Sequence, residues 1–194
     1  MGLLIMILGL VLFLGVHTLT TMRERRAALM AQIGSGRYML IYTLASFAGL
    51  ALIVWGFSVY RATGWINVWY PPVAMRHIAL ALMLPATIML VASYIRGRIY
   101  TVLKHPMLAA VKLWALAHLL ANGDLGSIIL FGSFLAWAVY DRISLKRRTD
   151  PGAPPIPVGG PTNDLIAVGV GVVAYVALAF AFHPLVIGVP VVGV

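Results

Sequence analysis

The sequence predicts an all-α, polytopic transmembrane bundle of about six helices in a single domain, with both termini outside the cytoplasm. Three observations predict it. Of 194 residues, only 10% are charged and 62% are hydrophobic, with a mean hydropathy of +0.99. A soluble domain carries roughly 25% charged residues, so these are too few to coat a water-facing surface. Apolar runs near the ~20 residues that cross the hydrocarbon recur along the chain, and basic residues collect in alternate loops.

The first run is Gly2–Thr20. No basic region precedes it and the charge follows it, which argues for an uncleaved first helix and against a removed signal peptide. The second and third runs are Met39–Tyr60 and Met75–Ile95; Pro85 inside the third predicts a kink and a freed carbonyl. The fourth, Pro106–Ala121, and the fifth, Ser127–Tyr140, are short and joined by Asn122-Gly123-Asp124-Leu125-Gly126. They read as a helical hairpin in which Asn and Gly supply left-handed turn geometry. The sixth, Leu165–His183, follows Thr149–Thr162 (TDPGAPPIPVGGPT), which reads as a flexible Pro/Gly linker on the cytoplasmic side.

Orientation comes from the basic residues. Arg23, Arg25, Arg26 and Arg37 occupy the first loop, Arg96, Arg98 and Lys104 the third, and Arg142, Lys146, Arg147 and Arg148 the fifth. These eleven face only Arg61 and Arg76 in the alternate loops. The three rich loops are therefore cytoplasmic. The net charge of +9 is a topology signal and a contact with anionic lipid, not a nucleic-acid surface. The absence of cysteine excludes disulfides, thiolate metal sites and a cysteine nucleophile. Trp65, Trp69, Tyr70 and Tyr60 read as an outer aromatic belt, and Lys112 as a side chain snorkelling to the surface.

Ionisable groups inside a span cost about 2.5–3.5 kcal/mol at its centre, so each needs a reason. Carboxylates are nearly absent from the runs, which disfavours a proton-coupled transporter. Histidines remain. His17 lies near the cytoplasmic end of the first run, with Gly9 and Gly15 leaving room beside it. His118 lies in the fourth, sharing a face with Trp114, Ala115 and Asn122; Ala115 makes a hollow beside the ring. His105 precedes Pro106 and caps the fourth helix, His77 opens the third, and His183 closes the sixth at the membrane interface. An imidazole kept from water stays neutral, the form that binds metal. Two on different helices can hold a haem iron from both sides, with arginines pairing its propionates. The plainer alternative is one interhelical hydrogen bond per histidine.

The run HPMLAAVKLWALAHLLANGDLGSIILFGSFLAWAVYDR, Gly15-Val16-His17 and AFHPLVIGVPVV together resemble the NnrU family of bacterial membrane proteins over nearly the whole chain. That resemblance implies a multi-pass protein of the bacterial inner membrane associated with denitrification, particularly nitric oxide and nitrite metabolism. Its role would be redox, sensing or assembly, or that of a non-catalytic subunit. The implied partners are membrane lipid and nitric oxide reductase or other nitrogen-oxide respiratory proteins. The family is similar to zeta-carotene isomerase, an integral membrane haem b protein, which puts haem iron ligands at His17 and His118. An isomerase-like or redox activity on a lipid-soluble substrate would follow. The isomerase carries a cysteine where this chain has Ala115, so thiolate ligation is excluded here. A more distant likeness to isoprenylcysteine methyltransferases is confined to His105-Pro106; their acidic cofactor segment has no counterpart after Arg142. Counting along the helices puts His17 about 6–8 Å and His118 about 18 Å from the cytoplasmic edge. On depth alone, His77 with His118, or His17 with His105, are the alternate ligand pairs.

Overall fold

A computed structural model describes residues 1–148 and 156–191. Helices account for nearly all of it: α1 (Gly2–Thr21), α2 (Arg23–Ile33), α3 (Ser35–Ala62), α4 (Val73–Ala92), α5 (Arg98–Leu103), α6 (Pro106–Ala121), α7 (Leu125–Arg147) and α8 (Pro161–Ala177). The last continues into a π-helical segment, Leu178–Ile187. Among the described residues there is no strand, only an isolated bridge between Asn67 and Asp124.

Among the described residues, five helices are long and apolar enough to cross a membrane: α1, α3, α4, α7 and the Pro161–Ile187 run. Apolar α6 is the shorter sixth. Their outward faces are as apolar as their cores. Leu4, Phe47 and Val54 are 66%, 68% and 63% exposed, a cost acceptable only where lipid is the solvent.

The chain divides into two packing units. The first, residues 1–70 and 123–148, packs α1 closely on α3 and adds α7. Glycines make the α1–α3 seam possible. A Cβ at Gly56 would lie 2.3 Å from the Met6 backbone nitrogen, and one at Gly9 2.6 Å from that of Ile53. Small residues let membrane helices approach this closely. The second unit, described over 71–122 and 156–191, packs α4 against both α6 and α8. There Gly171 of α8 meets the Ile88 backbone in the same way.

Several details depart from the sequence expectations. The first basic loop is mostly helix, α2, with no buried residue. It ends at Gly34, whose φ of 84° turns the chain into α3. The fifth span is not short. It runs for 23 residues, beyond Tyr140, because Asp141 is ion-paired with Arg148.

The Asn122–Gly126 turn is not left-handed either. Asn122 is extended, at φ −125° and ψ 131°, and the positive-φ glycines among the described residues are Gly34, Gly64 and Gly188. Hydrogen bonds shape the turn instead. The Gly123 carbonyl accepts from the Val68 and Trp69 amides at 2.9 and 3.1 Å. Asp124 then caps α7 by accepting from the Ser127 amide at 2.9 Å.

Tyr60 belongs to the same knot and not to an aromatic belt. It is 4% exposed, and its hydroxyl accepts from the Ile66 and Gly126 amides at 3.0 and 3.2 Å. Trp65, Trp69 and Tyr70 are exposed, as a belt requires. Of the Pro/Gly linker, residues 149–155 lie outside the described residues. From Ile156 on the segment is tied down: the Gly159 amide donates to the Arg96 carbonyl at 2.8 Å and the Arg96 guanidinium to that of Ile156 at 3.1 Å.

Candidate functional site

His17 lies in the last turns of α1, within the first unit. Its Nδ1 is 2.6 Å from the Phe13 carbonyl, four residues back. A carbonyl can only accept, so Nδ1 carries the proton and Nε2 keeps its lone pair. Aromatic rings frame the imidazole: Phe13 stacks at 4.2 Å, Tyr42 of α3 lies at 5.4 Å, and Trp137 of α7 stands edge-on at 5.8 Å. Between α1 and α3 an open groove of about 290 Å³ has His17, Phe13, Tyr42, Ser46 and Leu50 in its walls. Gly9 is consumed by helix packing, whereas Gly15 meets nothing within 4 Å.

His118 lies in the last turn of α6, within the second unit. Its Nδ1 is 2.8 Å from the Trp114 carbonyl, so Nδ1 again carries the proton. The Asn122 side-chain amide donates to the His118 carbonyl at 2.9 Å, fixing the end of the helix. Ala115 leaves no hollow there: it is 0% exposed and fully packed.

Two rings of this unit meet His118: Trp114 at 5.3 Å between centroids and His183 at 6.2 Å, with 26° between the His118 and His183 planes. His183 lies in the π-helical segment, and its Nδ1 reaches back five residues to the Leu178 carbonyl at 2.9 Å. The sequence reading placed it at the interface. Only its presence in the quoted AFHP segment hinted at more, because no spacing rule connects residues so far apart in the chain.

The other two histidines are placed differently. His77 is exposed, the fifth residue of α4. His105 holds the N-cap position of α6 ahead of Pro106, without a side-chain capping bond. It is thirteen residues, about 20 Å of helix, from His118, so those two cannot share an ion.

Three imidazoles are thus alike in one respect: Nδ1 of each is held by a backbone carbonyl of its own helix. This is the anchoring that orients metal-bound histidine. Among the described residues, no three His, Cys, Asp or Glu side chains are grouped to hold a metal ion by themselves. A donor set of single imidazoles suits haem, whose porphyrin supplies the other four nitrogens.

Residues 5–191 match the family model described as NnrU protein. No curated protein and no solved structure matches the chain.

Proposed function

Because the chain belongs to the NnrU family, membrane proteins linked to denitrification, we propose that it binds haem b in the bacterial inner membrane and serves nitric oxide and nitrite metabolism. Its role is redox, sensing or assembly. The observation that carries this reading is the shared anchoring of His17 and His118. Each donates Nδ1–H to a carbonyl one turn back, which fixes the ring against its own helix. On the family resemblance, each of these imidazoles is offered as a ligand to haem iron. Haem, when bound, supplies a one-electron couple. The chain's own residues orient the ligands and keep water from them: Phe13, Tyr42 and Trp137 around His17, and Trp114 with His183 beside His118.

The test is optical. The full chain, purified in detergent from haem-replete cells, is expected to show a Soret band that shifts on adding dithionite. A preparation with no such band, and none after adding haemin, ends the proposal.

Both termini are placed outside the cytoplasm, on the strength of the eleven basic residues in the three rich loops. The chain has no cysteine, so single cysteines report cleanly. One at Arg25 or Lys146 is expected to resist a membrane-impermeant maleimide on intact spheroplasts, and one at Thr63 to react. The reverse pattern would invert the topology.

A further inference from the structure

The end of the first unit that carries α2 holds hydrogen-bond donors without acceptors. Tyr38, in the first turn of α3, is 5% exposed, and its hydroxyl has no partner among the described residues. Arg26 of α2 stands over that ring, with Cζ 5.7 Å from the centroid. Its Nε is likewise buried and unpartnered. Buried polar groups are nearly always satisfied, so two adjacent orphans call for an acceptor. A guanidinium beside a phenol selects an anionic oxygen.

The apolar groove adjoins these donors. Along α3, Tyr38, Tyr42, Ser46 and Leu50 recur at four-residue steps and share one face. The last three line the groove with His17. Tyr38 and Tyr42 lie 6.4 Å apart, and Tyr42 and His17 5.4 Å. An acid-accepting corner, an apolar trough and an imidazole therefore follow one another within two ring contacts. Haem b has the matching parts: carboxylates on one edge, a flat apolar body and an iron.

We infer that Arg26 and Tyr38 are the propionate anchors of the haem site, with the guanidinium swinging off the ring to receive a carboxylate together with the phenol. The inference rests on the haem reading above and adds the residues that recognise the cofactor's acidic edge.

The experiment titrates the purified full chain in detergent with haemin and, in parallel, with its dimethyl ester, following the Soret band. The ester keeps the iron and the ring but has no carboxylate. Wild type is expected to bind haemin about tenfold more tightly than the ester. Arg26→Gln and Tyr38→Phe should each lower haemin affinity about fivefold and leave ester affinity unchanged. Arg37→Gln, an exposed charge on the same side, should change nothing. Tyr38→Phe removes only an unpartnered hydroxyl, so the fold is retained. Equal affinity for haemin and ester in wild type, or an unchanged ratio in both variants, overturns the inference while leaving haem binding intact. Retention of phosphatidylglycerol by wild type and its loss in Arg26→Gln, with haemin and ester equal, assigns the donors to a lipid headgroup and also overturns it. Binding of neither compound removes the haem reading, and this inference with it.

Discussion

Replacing Gly56 with valine is expected to abolish the folded protein. A Cβ at this position would lie 2.3 Å from the Met6 nitrogen, 2.8 Å from its Cα and 2.8 Å from the Gly2 carbonyl oxygen. All three are backbone atoms, so no side chain can swing aside. The seam extends in both directions. A Cβ at Gly2 would lie 2.3 Å from the Tyr60 nitrogen, and one at Gly49 2.8 Å from that of Phe13. Gly2 and Gly9 on α1, and Gly49 and Gly56 on α3, are each seven residues apart, so two antiparallel helices interlock twice. Restoring ordinary contact would move α1 off α3 by about an ångström, and overpacking of this kind costs about 1–3 kcal/mol or more. In lipid, close packing is itself the main force between helices, so the first unit should come apart. Gly132 of α7 is the control, because a Cβ there meets nothing within 4 Å. Gly132→Ala should be neutral or stabilise by up to about 1 kcal/mol. Thermal melting and size-exclusion profiles in detergent decide the matter. A Gly56→Val protein that is monodisperse and melts with wild type would show that the seam is dispensable.

Changing His118 to alanine is expected to weaken haem binding and to shift the spectrum from low-spin towards high-spin. His17→Ala should retain haem with one protein ligand and convert a low-spin spectrum to high-spin. His183→Ala differs again. His183 stacks beside the His118 ring at 6.2 Å between centroids. Its loss should leave the low-spin spectrum in place and weaken haem affinity about tenfold, as the loss of an orienting neighbour does. Added imidazole should restore the low-spin form of His17→Ala and leave His183→Ala unchanged. A His118→Ala preparation with a wild-type spectrum and stoichiometry would exclude this residue as a ligand.

The spans were legible because hydrocarbon thickness imposes a length and a composition that a run such as Gly2–Thr21 cannot hide. Their ends were not. Asp141 marks an end to a hydropathy count, yet α7 carries it by pairing it with Arg148. Helix α2 escaped notice because it is polar and has no residue buried as a whole. Tyr60 looked interfacial because tyrosine near a helix end usually is; one of its two partners, the Gly126 amide, lies 66 residues away. The candidate site was half visible. His17 and His118 stand out as histidines within apolar runs, whereas the approach of His183 to His118 and the cover of Arg26 over Tyr38 arise from packing that no local periodicity records. Ala115 was misread as a hollow, since a small side chain marks close packing as often as space.

Helix α6, with 16 residues, is about 24 Å long, whereas the hydrocarbon layer it enters is about 30 Å thick. Lipid around it must pinch or splay, at a fraction of a kcal/mol for each ångström of mismatch. The bilayer beside α6 is therefore drawn thinner than beside the five longer spans.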